Sequence, residues 1–257
     1  MSEPAAAVPA GWFPDPGGEP QWRWWDGREW TQYATAPSSP GHRAVPDAVA
    51  AEQRVLPWAR WAVVVYALGA ALACLSSLLY PDVLRQELHY VRLVFDNVGQ
   101  PPGLVPVAPT QPAGYRSLEL VTLVLVVTGE IVFLNWQHRA ATTARHLGYP
   151  ARISPGWGVV FWFVPVANLV LPYEAIRDCL PPGHPARPQV LRSWLALVTA
   201  LLLSILAAVS AAFVRPLGIG LGVLAIGAFA VYAVTMRHLV PAIGTEHRLA
   251  GEWLAGR

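Results

Sequence analysis

Five stretches of the chain are apolar over lengths that matter to a bilayer, and polar segments rich in Arg, Pro and Gly separate them. A helix needs about 20 apolar residues to cross the hydrocarbon layer. Trp61–Tyr80 runs 20 residues without a charge, and Leu120–Trp136 runs 17 with one, Glu130. Ser193–Val214 runs 22 and Pro216–Met236 runs 21, both uncharged. Ile153–Tyr173 is also uncharged, but Pro155, Pro165, Asn168 and Pro172 interrupt it. Ser154-Pro155 is a helix start, a capping hydroxyl followed by Pro at the first helical position. Pro165 has no amide hydrogen and crowds the preceding turn, so the helix kinks or stops there. Pro172 opens a second, amphipathic piece through Tyr173, Ile176 and Leu180, with Glu174, Arg177 and Asp178 on its other face. The pattern predicts an all-α membrane protein with four transmembrane helices, over about 59–80, 118–136, 193–214 and 217–236. A Pro-broken re-entrant or interfacial helical hairpin over 154–180 completes a multi-spanning domain of residues 57–240.

The polar segments predict further elements. Leu84, Leu88, Val91 and Phe95 recur at helical spacing, which makes 82–98 an amphipathic helix lying on the outer membrane face. Residues 100–113, with five prolines, read as a linker, and so does the Pro-rich stretch 35–56. Residues 241–257 read as a cytoplasmic tail. Residues 11–34 form a small β module that holds five of the twelve tryptophans. Asp26-Gly27 is a two-residue hairpin signal. Pairing outward from it sets Trp25 opposite Arg28, Trp24 opposite Glu29, Arg23 opposite Trp30 and Trp22 opposite Thr31, with Gly11-Trp12-Phe13 available as a third strand.

Composition narrows the picture. Apolar residues make up 54% of the chain and charged residues 13%, too few charges for a soluble surface of this size. All 18 basic residues are Arg, and they set the topology. With a cytoplasmic N-terminus and a third apolar run that returns to its own side, fourteen Arg lie inside and four outside; if that run crosses, the split is nine to nine. The positive-inside rule selects the first arrangement, with both termini cytoplasmic in a cell-membrane protein. Trp58, Trp61, Trp136, Trp157 and Trp194 then fall at the cytoplasmic interface. The first 55 residues lack an apolar signal core, so the first apolar run is expected to act as an uncleaved anchor. A net charge of +2 gives no reason to expect nucleic acid. Cys74 and Cys179 fall at different membrane levels, which argues against a disulfide; the chain has no Cys/His spacing for a metal, no catalytic motif and no cofactor motif.

The candidate sites are therefore few. One face of the β module carries Arg23, Trp25, Arg28 and Trp30, where guanidinium and indole groups can stack; with Trp12 they form the candidate partner-binding set. The same indoles also serve as the only core so short a module can have. Glu130 is the one acid inside a span, and a charge there is expensive unless paired or protonated. It either bonds the broken hairpin, at Asn168 or at backbone freed near Pro165, or carries a proton or substrate, or snorkels. Asn168 is expected to cap the helix that follows it. Arg139, Arg145 and Arg152 are candidates for lipid phosphate, or are plain topological anchors.

Two resemblances follow from the motifs. GWFPDP followed by WDGREWT, over residues 11–33, resembles a short module of high-GC Gram-positive bacteria, the domain of unknown function (DUF) 2510 family, which usually has Tyr where Phe13 stands. FLNWQHRAATTARHLG followed by SPGWGVVFWFVPVANLVLPYEAIRD resembles the DUF 4328 family of bacterial membrane proteins, over roughly residues 58–240. Neither resemblance implies an activity. The expected function is a non-enzymatic membrane scaffold that recruits a partner through the Trp-rich module. The alternative is a small proton-linked transporter or channel using Glu130, which four spans would support only as a homodimer. The expected partners are membrane lipids, a cytoplasmic protein or peptide, and a second copy of the chain.

Overall fold

The computed structural model describes residues 11–19, 21–35, 44–98 and 107–255. Three short strands open the chain: β1 (Gly11–Pro14), β2 (Trp22–Trp25) and β3 (Trp30–Thr35), in one antiparallel sheet of order β1-β2-β3. Helices follow: α1 (Val45–Leu79), α2 (Pro81–Asp96), α3 (Ala113–His146), α4 (Pro155–Val160), α5 (Leu171–Arg177), α6 (Arg187–Phe213) and α7 (Arg215–Ala255). Two 3-10 turns, Phe161–Phe163 and Ala167–Leu169, lie between α4 and α5. Among the described residues, α1, α3, α6 and α7 are long and apolar enough to cross a membrane.

The chain forms two compact units, and all four long helices contribute to both. One unit comprises Trp61–Ile131 and Ser193–Thr235. Its core is built from small and thin residues, Cys74, Leu78, Ala207, Ala211 and Ala225. Such residues let helix backbones approach in an environment where neighbouring lipid offers no hydrophobic incentive to pack. Gly129 marks a close approach of the α3 and α1 backbones: a Cβ there would lie 2.7 Å from the Tyr66 amide and 2.8 Å from the Ala62 carbonyl of α1. In α2, Pro81 stands at the start and Arg85 donates to the Ala212 carbonyl, while Leu88, Val91 and Phe95 stay exposed along one side. The amphipathic helix expected over 82–98 is thus present, its apolar face uncovered.

The other unit comprises the described parts of Met1–Arg60, Val132–Arg192 and Met236–Arg257. Two expected irregular segments are helical here. The stretch expected as a linker, 35–56, is helix from Val45 onward, continuous with the first span; residues 36–43 lie outside the described residues, as does the 100–106 part of the second expected linker. Pro46 sits in the first helical turn, where a missing amide hydrogen is harmless. Burial supplies the rest: Val45 is 1% and Glu52 0% exposed. The expected tail likewise continues α7 to Ala255 despite Pro241. These two extensions pack on each other. Gly244 and Gly251 hold α7 close to α1, since a Cβ at Gly244 would lie 2.7 Å from Leu56 and one at Gly251 3.1 Å from Val49, and Gln53 Nε2 donates to the Gly244 carbonyl at 2.7 Å.

The proline-broken hairpin forms as expected. The Ser154 hydroxyl accepts from the Trp157 amide, α4 gives way to a 3-10 turn before Pro165, and α5 begins with Pro172 in its first turn. Of the five indoles expected at an interface, Trp58, Trp61 and Trp157 are exposed, but Trp136 and Trp194 are buried and belong to the core.

Candidate functional site

The first functional region is the Trp-rich module. Its three strands are present, but the hairpin register differs from the expected one. The Asp26 carboxylate accepts the amides of Arg28 and Glu29, and the Asp26 amide bonds the Glu29 carbonyl, so the chain turns through Asp26–Glu29. A side chain that satisfies two amides favours this longer loop over a two-residue turn. Gly27 holds φ +97°, which the loop requires and which only Gly adopts freely. Trp25 therefore faces Trp30, and after a bulge Arg23 faces Ala34 and Trp22 faces Thr35. The amide bonds also hold the Asp26 carboxyl below its usual pKa.

Arg23 is not free to stack. Its Nε and Nη2 bond the Asp15 carboxylate at 2.9 and 3.1 Å, and its Nη1 donates to the Thr31 carbonyl. Asp15 also accepts from Gln21 and from the Gly17 amide. Arg23 first, then Gln21 and Gly17, push the Asp15 carboxyl far below its ordinary range. This fork ties the turn after β1 to β2 and serves as the module's polar core. Trp25 and Trp30 do meet, edge to face at 5.4 Å, and Phe13 joins Trp30 at 6.1 Å. Trp30 is 40% exposed, and Arg28 projects from the loop. The Trp12 side chain lies outside what the structure describes.

Trp24, which the expected pairing left among the strand residues, is the one that matters for placement. It is 2% exposed, and its indole N–H donates to the Pro182 carbonyl at 3.1 Å, just past the hairpin. Its ring meets Tyr149 edge-on at 5.8 Å, and Phe13 meets Trp253 of α7 at 5.8 Å. Trp24 shares a core with Val45, Ala144, Leu147 and Tyr149. The module is docked on its own unit, not held at the end of a tether.

Beneath Trp24 lies a buried polar junction that sequence reasoning missed. Tyr149 reaches it because α3 ends in a Schellman cap: the Gly148 amide bonds the Arg145 carbonyl and the Tyr149 amide the Ala144 carbonyl, with Gly148 at φ +81°. The Tyr149 ring packs on His247 at 5.9 Å, and its hydroxyl lies 3.4 Å from Glu246. His247 Nδ1 is 2.7 Å from Glu52 Oε2, and Nε2 is 2.7 Å from the Cys179 carbonyl. Both neighbours are acceptors, so this geometry suits an imidazolium against a carboxylate. Burial alone would lower the imidazole pKa; the Glu52 carboxylate and the Cys179 carbonyl outweigh it and hold it above the ordinary value. The second Glu52 oxygen has no hydrogen-bond partner among the described residues. The junction joins α1, the hairpin exit and α7 by buried charge, with Glu52 and His247 each 0% exposed. Among the described residues, no group of three His, Cys, Asp or Glu side chains is placed to hold a metal.

The hairpin is satisfied differently from expectation. Glu130 makes no hydrogen bond or ion pair among the described residues; it is half-buried on α3, beside the Gly129 contact with α1. The latch is Gln137, two turns further along α3 and 1% exposed. Its Nε2 donates to the Gly158 carbonyl at 3.1 Å, and its Oε1 accepts the Trp162 indole N–H at 2.9 Å. Asn168 does not cap α5, whose N-cap is Val170 without a side-chain bond. It donates instead to the Trp162 carbonyl at 2.9 Å, the acceptor that Pro165 leaves without its 3-10 partner. Of the three candidate lipid-contacting Arg, Arg145 and Arg152 are exposed, and Arg139 is half-buried with Nε bonded to Asn135.

Comparison with known proteins finds two family models that match parts of the chain. A family model described as a protein of unknown function, DUF2510, matches residues 10–43, which include the docked module. No curated protein and no solved structure matches. A second family model, described as domain of unknown function DUF4328, matches residues 110–240, from the start of α3 through the hairpin into α7. The chain belongs to the DUF4328 family.

Proposed function

We propose that the protein is a non-enzymatic membrane scaffold that presents the Phe13–Trp25–Trp30 edge of its module to an extended, proline-containing segment of a partner. The observation that carries this reading is the division of labour between adjacent tryptophans. Trp24 is consumed in docking, whereas Trp30 remains 40% exposed beside Trp25 and Phe13. An aromatic surface held rigidly binds with less ordering entropy than one on a flexible arm, and exposed indoles suit a polyproline-type ligand. Arg28 flanks the surface; Arg23, held by Asp15, supports it from within. Titrating the full chain in detergent with proline-rich peptides, read by indole fluorescence, tests the proposal. Saturable binding that Trp30→Ala abolishes and Gln32→Ala leaves intact is expected. A Trp30→Ala response equal to wild type refutes it.

The topology belongs to the same reading: both termini on the cytoplasmic side of the cell membrane and the hairpin returning to that side. Reporter fusions at Arg187 and at the C-terminus should both read inside, and a periplasmic signal at Arg187 would overturn it.

One observation favours a second reading, a small proton-linked transporter or channel acting as a homodimer. Glu130 has no partner among the described residues, and Tyr66 and Tyr232, which pair at 6.2 Å, share its electrostatic neighbourhood. Glu130→Gln should then abolish a proton-linked flux in liposomes, and absence of any flux in the wild type removes this reading.

A further inference from the structure

The unit that carries the module also holds an open cleft of about 310 Å³ that neither function uses. Asn135, His138, Arg139 and Thr142 of α3 line one wall, and Ala48 and Ala51 of α1 line the other. The α3 residues recur at three- and four-residue intervals, so one helix face supplies the whole polar wall. The alanine methyls opposite leave the space empty that larger side chains would fill.

Arg139 is half-buried and lines the cleft. Its Nε–H donates to Asn135 Oδ1 at 3.0 Å, which fixes the guanidinium plane. Its two Nη groups have no protein partner and no carboxylate pairs with it among the described residues. A guanidinium with both Nη groups free is the fork that grips a phosphate through two parallel hydrogen bonds. Thr142 spends its hydroxyl hydrogen on the His138 carbonyl, so Arg139, the Asn135 side-chain NH2 and the exposed His138 ring are the donors left to the cleft.

We propose that this cleft binds the phosphate group of an anionic phospholipid. Trp58 favours a lipid over a free anion. It stands seven residues beyond Ala51 on α1, two helical turns along the same face and about 10 Å away, and it is 70% exposed. An exposed indole at that spacing marks the headgroup level of a bilayer, so a phosphate seated on Arg139 leaves its acyl chains to run past Trp58. Arg145 and Arg152, exposed and outside the cleft, are not part of the site. The proposal is independent of what the Trp-rich module binds.

The test uses the full chain in detergent, with short-chain phosphatidylglycerol and inorganic phosphate as separate probes and bound ligand counted by native mass spectrometry. Loss of a bidentate charge-assisted contact weakens binding by at least about tenfold. Arg139→Ala should therefore lose at least tenfold in affinity for the lipid, Arg139→Lys should recover only part, and Arg248→Ala, with the same change in net charge on an exposed residue paired to Glu252, should bind as wild type. An equal loss in Arg139→Ala and Arg248→Ala would mean unspecific charge attraction and overturn the site. Inorganic phosphate binding as tightly as the lipid would overturn the lipid as its occupant.

Discussion

Trp24→Ala is the sharpest test of how the module is held. The indole is 2% exposed, packed on Tyr149, and bonded to the Pro182 carbonyl at 3.1 Å. A buried Trp truncated to Ala costs about 3–5 kcal/mol, the range set by how far the site collapses. Within that, the lost hydrogen bond accounts for about 1 kcal/mol. A loss of about 3 kcal/mol raises the undocked population roughly a hundredfold, since about 1.4 kcal/mol is a factor of ten. Trp24→Phe keeps a ring but not the donor, so it should raise that population only about tenfold.

The chain carries its own reporters. Cys179 and Cys74 are both buried free thiols, one in each compact unit. Cys179 is tied to Trp24 through a short chain of contacts: its carbonyl meets His247, the His247 ring lies tilted against Tyr149, and Tyr149 meets Trp24. Maleimide labelling of the full chain, located by mass spectrometry, should therefore accelerate at Cys179 in the order wild type, Trp24→Phe, Trp24→Ala, with Cys74 unchanged. A wild-type rate at Cys179 in Trp24→Ala would show that the indole does not hold the module. Joint acceleration at both thiols would show global unfolding and defeat the idea of a separable docking step.

Other expectations concern the supports around it. Gln137→Leu leaves the Gly158 carbonyl and the Trp162 indole N–H without their partner, each a penalty of about 1–3 kcal/mol. The melting temperature in detergent should fall, and hydrogen exchange should rise first in 154–177; Gln137→Glu, which keeps an acceptor for Trp162 but sets a buried carboxyl against the Gly158 carbonyl, should not restore the wild-type value. Gly148→Ala must hold a side chain at φ +81°, at a cost of about 1–2 kcal/mol, and should loosen Tyr149 as read by the same exchange experiment. The raised pKa of His247 gives a pH prediction of definite sign. Its ion pair with Glu52 stabilises fully below the unfolded imidazole value and is lost as pH rises through the higher folded value, so the unit should melt earlier on the alkaline side. Glu52→Gln should flatten that dependence, and an unchanged pH profile in this variant would remove the ion-pair account.

What the sequence displayed and what it hid divide along physical lines. Uninterrupted apolar length is a one-dimensional property, so the four spans stood out, and so did the hairpin, because Ser154, Pro155, Pro165 and Pro172 act on the backbone within a residue or two. The helix from 45 to 56 and the end of α7 did not. Each stabilises the other through one face, Val45, Val49, Glu52 and Leu56 on α1 against Gly244, His247 and Gly251 on α7. Each face carries a charge that looks solvated until the opposite helix is in place, and residues 45–56, with Pro46 among them, read as part of a Pro-rich linker. The polar latch was hidden for a related reason. Reasoning from the expense of buried charge points to Glu130, but the broken segment presents a backbone carbonyl at Gly158 and an indole N–H at Trp162 to α3, and these call for one donor and one acceptor together. A carboxylate can only accept; an amide does both, and Gln137 bonds Gly158 and Trp162 in that way. A Gln or Asn on the face of a span next to a proline-broken segment is therefore a stronger pointer to the contact than the nearest charge, and only the requirement for paired donor and acceptor, not hydropathy, brings it into view.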